Sequence, residues 1–181
     1  MSKICTIVGE VVDGTPQLHH KSSAGESFYK IRVNFVDTEI DVLVSEYNML
    51  ENYSGKVAVT GFYASLAHKR QLPKFFFFAN EVESADVDAK ETNEIAFHCK
   101  VSSVGKINHS TSGADACTVY ASDYSPLHIT SILYLAAKGK WARMLHGRKK
   151  GSFVSGTGRI KAFRDVYEIV ITDIDEDTDK K

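Results

Sequence analysis

The sequence predicts an all-β protein made of two tandem five-stranded barrels, each with a short helix between its third and fourth strands. Two observations support this fold class. Runs rich in β-branched and aromatic residues, which favour strands, recur along the whole chain. The same order of elements then occurs twice, about 90 residues apart, as expected of an internal repeat.

The first half contains five strand-like runs, and the second of them partly alternates apolar and polar residues at the period of a half-buried strand. The segment 45–50 separates the third run from the fourth and carries helix-compatible residues, so we predict a short helix there. The run Phe75–Phe78 is expected in the core and in oligomer contacts, because an exposed apolar row would promote aggregation. The five runs are 4–8, 27–35, 40–44, 57–63 and 75–79.

A polar, acidic stretch at 83–92 separates this set from a second one and is typical of a linker. We predict a first barrel at 1–84, a linker at 85–92, a second barrel at 93–174 and an acidic tail at 175–181. One ten-stranded sandwich is the alternative, but the polar stretch falls at the midpoint. The second set consists of strands at 94–101, 117–121, 129–135, 153–160 and 166–171, with a helix at 140–146.

Five strands with a helix between the third and fourth are the layout of the OB fold. Glycines fit this plan at the fourth strand of the second set. Gly151 precedes the strand, where a turn with positive φ is expected. Gly156 and Gly158 lie within it, where they permit the bend that closes a small barrel.

Several motifs of the second half occur in the order found in one known family. They are Asn93 before the first strand, Ile132-Leu133-Tyr134 at a strand end, Trp141-Ala142 in the helix, the Lys-Gly to Gly-Arg run Lys150–Ile160, and Tyr167-Glu168-Ile169-Val170. In these motifs the second half resembles bacterial single-stranded DNA-binding proteins. The first half shares only the barrel plan, through Gly55–Gly61, and primosomal single-strand binders have that plan too.

The resemblance implies a non-enzymatic protein that binds single-stranded DNA. It also implies a homodimer with four barrels, since relatives with two barrels per chain form dimers; a monomer with its two barrels paired is the alternative. The family's replication members end in a long tail that docks partner enzymes. Here residues 173–181 are short and acidic and finish in two lysines, which is typical of a solvated terminus.

The formal net charge of −1 hides a strong asymmetry. Residues 1–90 contain 9 basic and 12 acidic side chains, whereas residues 91–170 contain 11 basic and 6 acidic ones. No Asp or Glu occurs between Tyr124 and Arg164, a stretch that holds nine cations. Basic grooves and stacking aromatic rings hold single strands, so the second half supplies both requirements.

The candidate nucleic-acid-binding residues of the second half are these cations and three aromatic rings. Phe163, between two cations in the last hairpin, is the preferred stacking ring, and Tyr120 is a further candidate. Trp141 fits a base platform as well as it fits a plug at the barrel end. The full set is Tyr134, Lys138, Lys140, Trp141, Arg143, Arg148, Lys149, Lys150, Arg159, Lys161, Phe163 and Arg164.

The first half supplies a second group of candidates, because the outer face of the second strand is the usual OB ligand surface. Strand alternation leads us to expect Phe28 and Lys30 facing outwards and Tyr29 and Ile31 facing inwards. The remaining candidates lie on this strand and around the loop between the fourth and fifth strands. The set is Phe28, Lys30, Arg32, Tyr63, Lys69, Arg70 and Lys74, with His68 beside them.

No motif for nucleotide hydrolysis, nucleophilic catalysis or dinucleotide binding occurs, so we expect no enzymatic activity and no cofactor. The three cysteines, Cys5, Cys99 and Cys117, are widely spaced, which predicts neither a disulfide framework nor a zinc site. The adjacent His19 and His20 lack a suitably spaced partner for a metal site.

The resulting hypothesis is sequence-tolerant binding of single-stranded DNA during replication, recombination or repair. A protein-interaction or assembly module of a replication or restart complex is one alternative, and RNA binding is another, because stacking and phosphate contacts do not sense the 2′-hydroxyl. Replication or recombination proteins are further possible partners. Lacking a long apolar run or a signal sequence, the chain is expected in the cytoplasm, at the nucleoid in a bacterium, and away from membranes.

Overall fold

A computed structural model describes residues 4–66, 74–109, 114–124, 130–163 and 166–175, without the side chains of residues 66, 124, 130 and 163. The chain divides into two compact units. The first comprises Ile4–Ala64 and Phe75–Asn93, and the second is built on the described part of Glu94–Lys181. Each unit contains one closed barrel, so the predicted tandem OB architecture is confirmed.

The first barrel is closed by five strands in the order β1-β2-β3-β5-β4. β1 pairs antiparallel with both β2 and β4, β2 pairs antiparallel with β3, and β3 pairs with β5 in parallel. β1 is much longer than the first predicted run, because it continues into an extended hairpin with β2. The strands are β1 (Cys5–Lys21), β2 (Ser27–Phe35), β3 (Thr38–Ser45), β4 (Lys56–Leu66) and β5 (Lys74–Ser84).

The second barrel repeats this topology. Its strands follow the order β6-β10-β11-β9-β8, and a pairing between β6 and β8 closes the ring. β9 and β11 form the parallel pair, as β3 and β5 do in the first barrel. The elements are β6 (Glu94–Val104), β7 (Asn108–His109), β8 (Asp115–Tyr124), β9 (Thr130–Lys138), α1 (Lys140–His146), β10 (Phe153–Phe163) and β11 (Val166–Ile174).

Each barrel buries its own apolar core, because alternate residues of every strand point inwards. In the first barrel Ile7, Ile31 and Phe35 are buried. All four residues Phe75–Phe78 are buried as well, although alternation points only two of them inwards. In the second barrel the core includes Phe97 and Leu135. Burial of Ile31 agrees with the predicted facing of β2, and burial of the phenylalanine run agrees with its predicted place in the core.

The helix predicted at 45–50 in the first barrel is not formed. Residues 46–55 instead adopt turns, bends and coil. Tyr53 is buried there, accepts a hydrogen bond from the Leu50 amide at 2.9 Å, and donates its own amide to the Gly14 carbonyl at 3.1 Å. Burial raises the pKa of the Tyr53 phenol above its ordinary value. α1 of the second barrel, in contrast, occupies the predicted residues.

The residues predicted to form a linker are held against the first barrel. Thr92 exchanges two backbone hydrogen bonds with Val8, at 3.1 and 2.9 Å. The Lys56 ammonium donates to the carbonyls of Val87 and Ala89, both at 2.9 Å. Asn93 continues this anchoring by donating from its buried side chain to the Phe35 carbonyl at 3.2 Å.

Two glycines show why the fourth strand of the second barrel needs them. Gly151 has φ +91 in the turn before β10, a conformation that L side chains rarely adopt. A Cβ on Gly156 would lie 2.1 Å from the Asp173 carbonyl oxygen and 3.0 Å from the Phe97 ring. β10 therefore approaches β11 and the core too closely for any side chain at that position.

Candidate nucleic-acid interface

The outward face of β8 and β9 in the second barrel corresponds to the ligand surface of OB folds. Cross-strand pairs stack along it in register: Ala116 with Lys138, Thr118 with Ala136, and Tyr120 with Tyr134. The rings of Tyr120 and Tyr134 meet edge to face, with centroids 5.1 Å apart. Tyr120 is exposed and Tyr134 is half-buried, so both rings retain surface on this face.

β11 and β10 extend the face by two further strands. Ala136 lies beside Val170 in the parallel pair, and continuing this register places Glu168 level with Tyr134. Lys161 lies directly opposite Glu168 on β10. One row across four strands therefore reads Tyr120, Tyr134, Glu168 and Lys161.

A cleft of about 300 Å³ opens on this face next to that row. Its surface is formed mainly by small residues of β8, β9 and β11, with Asn108 of β7 at one end. Three charged side chains, Lys138, Lys161 and Glu168, line it. The small side chains Ala116, Thr118 and Ala136 leave room above the strands, into which a planar ring could fit.

The electrostatics of the cleft are set by two lysines around one carboxylate. Burial raises the pKa of the Glu168 carboxyl above its ordinary value, while the charges of Lys138 and Lys161 act to lower it. Arg159, in register with Val170, adds an exposed cation to the same face. The face therefore carries three cations and one acid around the cleft, an arrangement that attracts an anionic backbone.

The residues of α1 lie near the Ala116 end of this face. Asp115, at the start of β8, accepts a hydrogen bond from the Arg143 guanidinium at 2.9 Å and pairs with the His109 ring at 2.8 Å. Hydrogen bonding from Arg143 and then from His109 lowers the pKa of the Asp115 carboxyl. The Lys140 ammonium lies 3.9 Å from the centroid of the half-buried Trp141 ring. One face of Trp141 is therefore already covered by a cation.

The basic residues that follow α1 are not at the cleft. Lys149 and Lys150 are exposed in the turn before β10, and Arg148 is half-buried. Lys150 is separated from Lys161 by roughly 30 Å or more of chain along β10, at about 3.3 Å per residue. The structure thus divides the predicted basic stretch into a group at the cleft and a group at the opposite end of β10.

Two aromatic candidates of the first barrel are not surface rings, which corrects the prediction. Phe28 is buried between its neighbours: His20 stacks on it with centroids 4.9 Å apart, and Phe78 meets it edge-on at 6.1 Å. Tyr63 is fully buried and stacks with Phe75 at 6.0 Å. Each ring is covered by a residue of another strand, and strand alternation alone does not reveal which residues of other strands pack over a side chain.

The cations on the outer face of β2 are paired with acids. Lys30 lies 3.8 Å from the Asp41 carboxylate, and Arg32 lies 3.3 Å from Asp41 and 4.0 Å from Glu39. Each pair follows from the β2–β3 hairpin, in which Arg32 and Asp41 are directly opposite. This face therefore offers little net positive charge to a nucleic acid.

The remaining candidates lie at or beyond the edge of what the structure describes. Lys74 is exposed at the start of β5. His68, Lys69, Arg70 and Arg164 lie outside the described residues, as does the side chain of Phe163. Among the described residues, no group of three or more His, Cys, Asp or Glu side chains could hold a metal ion. In the same part of the chain, no helix has the length and apolar character to cross a membrane.

Sequence reasoning missed the cleft itself and Glu168. The small residues Ala116, Thr118 and Ala136 carry no chemical signal of their own in sequence, and they matter only because β8 and β9 align them. A signal for Glu168 did exist. The fourth and fifth predicted strands of the second set are consecutive, and a hairpin between them brings Lys161 and Glu168 into the same part of the sheet.

Solved structures with this fold include the single-stranded DNA binding protein from Thermus aquaticus. The wild-type crystal structure has a TM-score of 0.76 and 10% sequence identity, and covers 97% of this chain and 92% of that one. A deletion mutant of the same protein gives a TM-score of 0.75 at 11% identity, covering 97% and 93%. At this identity the likeness establishes a shared fold over nearly the whole of both chains. No family model and no curated protein matches the sequence.

Proposed function

We propose that this protein binds single-stranded DNA with little sequence preference, through the outer face of β8, β9, β11 and β10. One observation carries the proposal. Tyr120 and Tyr134 lie on the same face as Lys138, Arg159 and Lys161, beside an open cleft. Rings that stack on bases, next to cations that contact phosphates, are the two elements of sequence-tolerant single-strand binding.

The shared fold supports this proposal. The Thermus aquaticus protein of the same architecture is named for single-stranded DNA binding. We extend the proposal to a role in replication, recombination or repair, where single strands are exposed. The cleft chemistry is equally suited to RNA, so binding of an RNA strand has to be measured beside binding of DNA.

The test is a fluorescence-anisotropy titration with a labelled dT oligonucleotide of about 35 bases, a duplex of equal length and a U-containing RNA of equal length, at two salt concentrations. We expect the dT strand to bind more tightly than the duplex, with affinity falling as salt rises. Equal or tighter binding of the RNA would shift the proposed ligand from DNA to RNA. No binding to any strand at low salt would overturn the proposal.

The variant that localises binding is Tyr134→Ala. Loss of one stacked base is worth roughly 1–3 kcal/mol, so the dT affinity should fall by about 5-fold to 150-fold. Tyr47→Ala is the matched control, because Tyr47 is a 79% exposed ring in the first unit. Circular dichroism of both variants checks that the fold persists. Unchanged affinity of Tyr134→Ala would move the interface away from this face.

A second candidate function concerns the first barrel, which we propose acts in protein assembly. The rings of Phe28 and Phe78 on the equivalent outer face are buried, at 8% and 3% exposure, so they offer no stacking surface to a base. Its cations Lys30 and Arg32 are paired with acids. Arg32→Ala should therefore leave DNA affinity unchanged, whereas Arg159→Ala should lower it. An equal loss in both variants would assign nucleic-acid binding to both barrels.

We also propose a homodimer, which would bring four barrels together. Sedimentation velocity of the full chain at micromolar concentration distinguishes a dimer from a monomer. Sedimentation coefficients measured with and without the dT strand distinguish self-association of the free protein from assembly on DNA.

A further inference from the structure

The cleft on the second barrel contains an acid at a place where a purely phosphate-binding surface would have none. Glu168 is half-buried and level with Tyr134, in a cleft otherwise lined by small residues and two lysines. A carboxylate repels phosphates, so it weakens backbone binding unless it contacts another part of the strand. When ionised it can only accept hydrogen bonds, so its partner must be a donor.

The donors on a DNA strand lie on the base edges. Cytosine, adenine and guanine each present an amino group on the pairing edge, and a carboxylate is a natural acceptor for the cytosine N4 amino group. Thymine presents one N–H between two carbonyl oxygens, and both of these would face the carboxylate unfavourably. A carboxylate on the floor of a base-sized cleft therefore discriminates against thymine.

The dimensions agree with this use. The cleft volume of about 300 Å³ exceeds what one nucleobase needs, and its opening leaves the lysines free to contact the flanking backbone. Thr118, Ala136 and Val170 line it across three strands. A base entering beside Tyr134 would bring its pairing edge to the Glu168 carboxylate in the same row.

We propose that this cleft accepts one base of the bound strand and that Glu168 accepts a hydrogen bond from its amino group, favouring cytosine over thymine at that position. This inference rests on the proposed single-strand binding. It adds a modest base preference to otherwise tolerant binding. Burial raises the pKa of the Glu168 carboxyl, while the charges of Lys138 and Lys161 act to lower it.

The test measures competition between unlabelled dC and dT oligonucleotides of equal length at pH 7.5, for the full chain and its variants. We expect the wild type to favour dC by roughly 5-fold to 10-fold, towards the lower end of what one good base contact provides. In Glu168→Ala the dC-to-dT ratio should fall to about one. Its affinity for dT should rise, because a repulsive charge has been removed, whereas its affinity for dC should rise less or fall, because a hydrogen bond to the base is lost as well.

Asp173→Ala is the matched control, since it removes an exposed acid from the same strand outside the cleft. It should raise affinity without changing the ratio. Equal binding of dC and dT by the wild type, or a preference that survives in Glu168→Ala, would overturn base reading while leaving single-strand binding intact. Failure to bind either strand would overturn the proposed function itself, and the inference with it.

Discussion

Position 156 requires glycine, because β10 approaches β11 closely there. A Cβ there would lie 2.1 Å from the Asp173 carbonyl oxygen, a contact that only backbone movement could relieve. Overpacking of this kind costs about 1–3 kcal/mol. Gly156→Ala should therefore lower the free energy of unfolding by about 1 kcal/mol or more. Equilibrium urea denaturation measures the change.

Gly147→Ala is the control for this substitution. Gly147 has φ −73, and a Cβ added there would meet its nearest atom, the Met144 carbonyl oxygen, at 3.6 Å, an ordinary contact. The control should differ from the wild type by no more than about 0.5 kcal/mol. If Gly156→Ala is as stable as Gly147→Ala, β10 and β11 can move apart to admit the methyl group without loss of stability.

The sequence predicts which face of a strand a side chain points to more readily than it predicts which residues of other strands pack over that side chain. Alternation along β2 correctly directs Ile31 to the core and places Lys30 on the outer face. The same alternation puts Phe28 on the Lys30 side, but His20 of β1 and Phe78 of β5 cover the ring. The contact with His20 depends on the register of the β1–β2 hairpin, and the contact with Phe78 depends on how β5 packs in the barrel; one sequence without an established register reveals neither.

At the scale of elements, a single carboxylate links three parts of the second barrel. Asp115 at the start of β8 is bonded to Arg143 of α1 and to His109 of β7. Because these bonds lower the pKa of Asp115, they stabilise the fold above the ordinary aspartate pKa of 3.8, and the effect is lost as the pH falls through the lower folded value.

Asp115→Asn should therefore be less stable than the wild type at pH 6, and the difference should shrink as the pH falls below 3.8. Urea midpoints at several pH values measure it, with Asp88→Asn, an exposed site in the first unit, as control. A stability difference that persists unchanged at the lowest pH would show that the side chain acts through shape rather than charge.

The two predicted helices show when the local sequence alone is enough to predict a helix and when it is not. Residues 140–146 are good or tolerated helix formers and follow Gly139, whose φ of +57 reverses the chain after β9. The corresponding stretch of the first barrel contains Asn48, Asn52 and Ser54, whose side chains compete for backbone hydrogen bonds. There the buried Tyr53 ties the segment to Gly14 of β1, and no periodic pattern in sequence indicates that contact.

At the scale of the whole molecule, the near-neutral total charge conceals how the cations are distributed. The acid-free stretch was visible in sequence, but its division between the two ends of β10 required the fold. Lys138, Arg159 and Lys161 surround the cleft, whereas Lys149 and Lys150 lie at the opposite end of the strand. The proposed binding path therefore uses three of these five cations.

Salt dependence tests this distribution, because each phosphate contact on a single strand contributes about 0.7 to the slope of log affinity against log salt. Replacing Lys138, Arg159 and Lys161 by glutamine should reduce the slope by about 2. Lys149→Gln/Lys150→Gln should leave it nearly unchanged. An equal reduction in the double variant would mean that the strand follows the full length of β10, so that the interface is a groove around the barrel rather than one face of it.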